Sequence, residues 1–589
     1  MKNRFNKFSI VIPVEFDSVF SGLMRENPED VLRMMSRENI VRLASLLKRE
    51  YCGKPAIKMA NLLSISDAHF MPLYVRLKKH IERTWQEKGA EVVVAFDNCP
   101  LEILRIACSI PPDEMKEVSP MRTNELEWRL TKLIAQINQR LMDYTAENTV
   151  KKDVAKLLLV NDASYKDIHK TNSKNSFIIQ PTQAILFFQL LESNSKYASL
   201  LNAFYKWYGI ESWKDYIKTI YSLSLQCFKN GEGICPSSTV KQNGEFFSSS
   251  VLDRLSIDAN KDVFPYACED EYDGLGNSDY KEFKGKPLFK LSNGDYVVYN
   301  QAILVDRLFQ GLYFDFRHIA NSLEEKHPDV TNLFTSDFVE KTLFAGVVKN
   351  CVSSCRYLAY NEEDLMGIHK LIQNEIGYPD FFIRSKRKRL VVLFECKDIR
   401  INAWIKEQRD YGMLEQELRN KIVSKTYQLD RENKCHRNLA KPKRIGIGQL
   451  AGHAANIRKG QFPWATDLPK DVIIYPVLVI ADNRLIYEGL PLLAQQWYNE
   501  CLAAEGVVIA SQERPLIMMS PLTFIKYKKR FLLHGLDYYF EQYYKAIGIQ
   551  VQSTADLFNR VMSFDTFMEQ YKYSLPQSRK SIMKTIYGR

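Results

Sequence analysis

Two acids and a lysine stand where one strand pair could bring them together. Glu395 and Lys397 flank Cys396 at the end of the apolar run Leu390-Val391-Val392-Leu393-Phe394. Side chains alternate along a strand, so Glu395 and Lys397 project to one side and Cys396 to the other. Asp380 opens an earlier apolar run, Phe381-Phe382-Ile383, and the basic stretch Lys386-Arg387-Lys388-Arg389 joins the two. Such a hairpin could converge two carboxylates and an ammonium on one point. Carboxylate oxygens suit Mg²⁺ or Mn²⁺. A lysine beside them can orient or activate a water, which completes a toolkit for metal-assisted phosphodiester hydrolysis.

The pattern Pro379-Asp380 followed by Glu395-Cys396-Lys397 resembles the PD-(D/E)XK nuclease superfamily, over about Thr335 to Met519. The resemblance implies a restriction-endonuclease-like core, a small mixed four-stranded sheet flanked by helices. It implies Asp380 and Glu395 as ligands of Mg²⁺ (or Mn²⁺) and Lys397 as the catalytic lysine near the attacking water. Many members add an acid on the helix before the sheet, and Glu340 in Phe338-Val339-Glu340 matches that position as a third metal ligand. Asp337 and Glu340 are also spaced as N-cap and N3, so a capping box is the alternative for Glu340. Glu363 and Glu375 are lesser substitutes. Some branches carry a glutamine on the helix after the motif strand. Gln449 in Gly446-Ile447-Gly448-Gln449-Leu450 is similar and could hold a water, a metal-bound ligand or a phosphate; an exposed helical glutamine is the other reading. His453, one helical turn on, reads as a partly exposed structural histidine.

The elements that must position these groups follow from periodicity. Asp337 to Val348 is a helix candidate, and two strands then carry Asp380 and Glu395. Helices are expected over Asp410 to Lys425, Ile447 to Arg458 and Leu492 to Leu502, the last with Pro491 in its first turn. Val472 to Ile480 and Pro515 to Met519 read as strands. Phe524 to Leu533, Leu536 to Ile547 and Asp556 to Tyr571 read as a helical tail. The expected class is α/β, with a mainly helical N-terminal half. Its helices include Pro28 to Leu47, a segment capped by Asp67, and Asn124 to Tyr144. Further helices are expected over Thr182 to Glu192, Tyr197 to Tyr208 and Trp213 to Phe228. Asn293-Gly294 between two apolar runs signals a hairpin. The expected divisions are 1–280 helical, 281–334 a hairpin-and-helix connector, 335–525 nuclease-like and 526–589 a helical tail.

Composition bounds the rest. The chain has 589 residues, 46% apolar and 12% aromatic, enough for several cores. A net charge of +11 permits a polyanionic partner without demanding one. Arg384 to Arg389 and Lys441 to Arg444 could contact phosphates, or be solvated tips. The 11 cysteines include Cys351 with Cys355 and the pair Cys435-His436; reduced buried thiols are expected rather than a zinc site. An odd cysteine count and no evident secretory signal point to the cytoplasm. No apolar run is long enough for a bilayer. No P-loop, G-x-S-x-G or HExxH occurs. The expectation is therefore a metal-dependent endonuclease, DNA favoured over RNA, with a component of an anti-phage defence or mobile-element system as one reading. The partners expected are nucleic acid and a partner protein or a second copy, since double-strand cleavage by this fold usually takes two sites. The alternative is a scaffold that binds nucleic acid or protein without cutting.

Overall fold

The computed structural model describes residues 11–58, 71–88, 91–116, 123–146, 153–169, 176–230, 233–264, 280–323, 328–370, 376–402, 405–406, 410–430, 435–507, 514–550, 552, 554–572 and 579–588. Asp67 and Glu375 lie outside the described residues. The described parts of Thr149–Asp167 and Pro328–Ser578 form one unit, and those of Phe8–Asn148, Ile168–His327 and Arg579–Arg589 form the other. The expected connector therefore groups with the N-terminal residues, and most of the expected tail groups with the motif-bearing residues.

In the unit of Phe8–Asn148 and its companions, helices dominate. Asn300 caps the Gln301–Asp306 helix, and the long Thr123–Ala146 helix contributes Leu130, Leu133, Ile134 and Ile137 to a buried cluster. The stretch Pro28 to Leu47 is not one helix: Ser36 caps a fresh start, giving Pro28–Leu32 and Arg37–Glu50. The expected hairpin forms as Leu288–Lys290 against Tyr296–Val298, with Gly294 at φ +83°. Short strands Ile234–Cys235 and Ser256–Asp258 extend it to a four-stranded sheet.

The other unit is built on a mixed sheet of five strands: β1 (Tyr357–Asn361), β2 (Phe381–Ser385), β3 (Leu390–Lys397), β4 (Ile473–Ile480) and β5 (Ile517–Met519). Their spatial order is β5-β4-β3-β2-β1, with β3, β4 and β5 parallel and β1 and β2 antiparallel to their neighbours. β3 is central and covered on both faces, which is why Leu390 to Phe394 is an unbroken apolar run. On one face Phe394 meets Phe344 and Phe524 at ring-centroid distances of 5.9 and 6.1 Å. On the other, Val391 and Leu393 join Leu450, Ala451 and Ala454 in one buried cluster.

Three helices matter to the site. α1 (Tyr411–Ile422) is capped by Asp410, whose side chain accepts from Met413 N–H at 2.7 Å. α2 (Ile447–Lys459) supplies the residues covering the Leu393 face, and α3 (Leu490–Ala504) packs beside it. The helix expected from Asp337 starts earlier and differs in kind. Asp329 caps it through Thr331 N–H at 2.8 Å, and Leu333–Phe344 then runs as a π-helix before Ala345–Cys351 becomes α-helical. The i→i+5 bond from Ala345 N–H to the Glu340 carbonyl is part of it. No helix among the described residues is long and apolar enough to cross a membrane.

Candidate active site

Strand register places the acids. Phe381 pairs with Phe394, so Asp380 lies across from the Glu395 end of β3. Asp380 Oδ2 accepts the Cys396 N–H at 2.6 Å, which pins the aspartate against the motif strand. Lys397 Nζ lies 3.0 Å from Glu395 Oε2 and 3.4 Å from Asp380 Oδ2. The three groups expected to converge therefore do so at one end of the sheet.

Their burial is graded. Glu395 is fully buried, while the Asp380 and Lys397 side chains retain 16% and 19% exposure. The open side of the cluster is thus the Asp380–Lys397 side. Lys397 pairs with Glu395 Oε2, and Oε1 has no hydrogen-bond partner. A buried carboxylate in that state costs stability.

Burial, and then the charge of Asp380, push the Glu395 carboxyl well above the usual carboxylate range. Glu340 on the π-helix feels the same two effects and is pushed up to about 7. Burial works against the Lys397 ammonium, but Asp380, Glu395 and Glu340 outweigh it and hold the lysine charged. The capping-box alternative for Glu340 fails. Asp337 lies inside the π-helix, whose N-cap is Asn332, and pairs with Lys341 at 3.5 Å, so it does not hold the N-cap position.

A fourth acid was missed in the sequence. Asn361 pairs with Phe381, so Glu362, the next residue, comes alongside Asp380. Burial and the Asp380 charge raise its carboxyl. Glu363, the acid weighed as a substitute, follows it in the first turn of the Glu362–Ile368 helix, and both side chains are largely exposed. The available signal was only the short run Tyr357-Leu358-Ala359-Tyr360 just before Glu362, which forms the edge strand β1.

Gln449 has a local structural task. Its Oε1 accepts the Gly446 N–H at 3.0 Å, and its Nε2 lies 3.5 Å from where a Cβ on Gly377 would stand. It ties the start of α2 to the segment leading into Asp380, and no contact places it on the carboxylates. His453 departs from expectation in the other direction: it is 1% exposed, not partly exposed. Its Nε2 stands 3.8 Å from Glu395 Oε1, and neither ring nitrogen has a hydrogen-bond partner. Burial, aided by the Lys397 charge, lowers its pKa to about 3 and keeps it neutral.

The two basic segments part company. Around the β2–β3 turn, Arg384 pairs with Asp467 at 2.7 Å, Arg389 with Asp471 at 3.4 Å and Lys388 with Asp537. Three of its cations are thus engaged by acids, and Lys386 and Arg387 are exposed, as in a solvated tip. Lys441 to Arg444 belongs instead to a two-stranded antiparallel ribbon, Ser424–Asp430 with Cys435–Arg444. Asn420 on α1 roots it, accepting the N–H groups of Thr426 and Tyr427 at 2.8 and 3.1 Å. Exposed Lys425 and Lys443 sit directly opposite each other. Like charges placed so repel, and an anionic partner would relieve them.

Among the described residues no three His, Cys, Asp or Glu side chains are already gathered as a cation cage. Cys351 is buried with its thiol on the Phe524 carbonyl at 3.3 Å, and Cys355 is exposed. The side chains of Cys435 and His436 lie outside the described residues. Comparison of the chain with protein-family models, with curated proteins and with solved structures found no match.

Proposed function

We propose that this chain is a metal-dependent nuclease that hydrolyses phosphodiester bonds, with DNA the substrate favoured by the PD-(D/E)XK resemblance. One observation carries the reading: a fully buried acid, Glu395, whose Oε1 has no hydrogen-bond partner, shares the Lys397 ammonium with Asp380 at 3.0 and 3.4 Å. Several acids share one lysine in a mostly dry place, which holds their carboxyls up, so ionising them together calls for a further cation. The donors are hard oxygens, the chemistry that suits Mg²⁺ or Mn²⁺. Asp380 and Glu395 would hold the cation, with Glu340 as a further ligand from the π-helix.

A bound divalent cation would supply Lewis-acid polarisation of the phosphodiester and neutralise its charge. Lys397 stays protonated, so it acts as a donor: it orients a water or a phosphate oxygen and does not take a proton. Asp380, pinned by the Cys396 N–H, holds its carboxylate in place without side-chain reorganisation. The Lys425–Lys443 ribbon offers positive charge to a phosphate backbone without reading sequence. A cytoplasmic setting fits the free thiols of the described cysteines.

The test is incubation of the purified chain with plasmid DNA and with RNA in Mg²⁺, Mn²⁺ or EDTA. The expected result is cleavage with either ion, none in EDTA, and a loss of roughly a hundredfold or more in Asp380→Asn. Equal cleavage by Asp380→Asn and wild type would overturn the assignment. Binding without cleavage would mark a scaffold. Cleavage only with an added partner would mark an assembly of the defence or mobile-element kind.

A further inference from the structure

His453 is the feature that the two-acid site leaves unexplained. A histidine this buried ordinarily satisfies at least one ring nitrogen, because an unpaired buried polar atom costs free energy. Here both nitrogens lack a hydrogen-bond partner, and so does Oε1, the Glu395 oxygen that Nε2 faces; Oε2 meets the Lys397 ammonium at 3.0 Å. Nε2 and Glu395 Oε1 are 3.8 Å apart, too far for a hydrogen bond. Two donors each about 2.1 Å from a shared cation stand roughly 3 to 4.2 Å apart, depending on the angle between them. The observed separation falls inside that window.

The ring is also held in place. Phe462 and Trp464 meet it edge-on, at centroid distances of 6.1 and 5.9 Å and interplanar angles of 86° and 70°. One turn earlier, Gln449 clamps the start of α2 to Gly446. A core histidine needs no such alignment toward a carboxylate, whereas a metal ligand does.

We propose that His453 is a nitrogen ligand of the cation held by Glu395 and Asp380, which makes the site select Mn²⁺ over Mg²⁺. The inference rests on the nuclease reading and adds to it the identity of the ion. Imidazole nitrogen is a better partner for Mn²⁺ than for Mg²⁺, which prefers oxygen and retains its waters.

The test reads metal binding, not turnover. Mn²⁺ affinity is measured on the full chain by the electron paramagnetic resonance of free Mn²⁺, and Mg²⁺ affinity by calorimetry. Pulsed resonance on bound Mn²⁺ reports a directly coordinated ¹⁴N. In the wild type the ¹⁴N modulation is expected. His453→Ala and the size-conserving His453→Gln lose it, with Mn²⁺ affinity down about tenfold or more and Mg²⁺ affinity changed by less than about twofold. Absence of the ¹⁴N signal in the wild type, or equal loss for both ions, overturns the inference. If Mn²⁺ binds and Asp380→Asn weakens it while both His453 variants do not, only this inference falls. If neither ion binds, or Asp380→Asn changes neither affinity, the nuclease reading falls with it.

Discussion

The two ends of β3 carry charge in opposite ways. At the Leu390 end, three cations of the turn meet acids, Arg384 with Asp467, Lys388 with Asp537 and Arg389 with Asp471, while Lys386 and Arg387 are exposed. Most of those groups are well exposed, so each pair adds little to stability and asks for no ligand. At the Lys397 end, four acids crowd one ammonium, and the most buried of them leaves one oxygen without a hydrogen-bond partner. Folding alone gives no reason for that excess, since a fully apolar strand end would be cheaper. On the proposed reading, one strand carries both charge that belongs to the surface and charge kept for a cation.

The largest effect should come from exchanging a cation at each end. Lys397→Met is expected to cut cleavage by roughly a thousandfold or more, because the donor beside the scissile phosphate is lost. Arg389→Ala breaks an exposed pair at 3.4 Å and should leave cleavage within about twofold. Comparable losses in both variants, measured as initial rates on plasmid DNA in Mn²⁺, would erase the distinction between the ends.

A second way to sharpen the contrast is the pH dependence of metal-free stability. The raised Glu340 carboxyl binds its proton more tightly folded than unfolded. Its contribution is therefore full at low pH and is lost as pH rises from 4.5 to about 7. That is about 3 kcal/mol at most. His453 has the opposite sign: burial favours its neutral form, so stability is lost as pH falls from 6.5 toward 3. Thermal melts in EDTA should show wild type gaining on Glu340→Gln as pH is lowered from 7 to 4.5, with a constant difference above about 7. No such pH dependence is expected for Arg389→Ala. A difference between wild type and Glu340→Gln that does not vary with pH would place Glu340 in ordinary solvent.

What the sequence made legible follows the same division. Elements set by local pattern were readable: Asp410 begins α1, Pro491 sits in the first turn of α3, and Leu536–Ile547 was read to both ends. The convergence of Asp380, Glu395 and Lys397 was readable because alternation and a short turn fix it. The rest depends on tertiary partners. The π-helix needs a shift to i→i+5 bonding that no residue type announces. β1 is a short edge strand whose meaning comes from lying beside Asp380. The ribbon carries Pro442 and charged residues in place of apolar alternation, so it had no strand signature. Glu362 looked like an acid in a helix first turn, which it also is. His453 looked surface-bound because nothing in its neighbourhood along α2 shows that Phe462 and Trp464 close over it.

The smallest effect separates the two basic segments and carries the comparison to nucleic acid. Paired cations release few counterions on binding, whereas unpaired ones release about 0.9 per phosphate neutralised on duplex DNA. Replacing Lys425, Lys441 and Lys443 together by alanine should flatten the dependence of log affinity on log salt by roughly 2 to 3. Replacing Arg384 and Arg389, already engaged by Asp467 and Asp471, should flatten it by less than about 1. Binding is measured by fluorescence anisotropy on a duplex in Ca²⁺, an ion with oxygen-ligand preferences like those of Mg²⁺ but looser geometry. If the turn variant loses as much slope as the ribbon variant, ion pairing does not decide which cations meet phosphate. The turn would then have to exchange its acids for the backbone on binding, and the acid-paired end of β3 would be part of the interface.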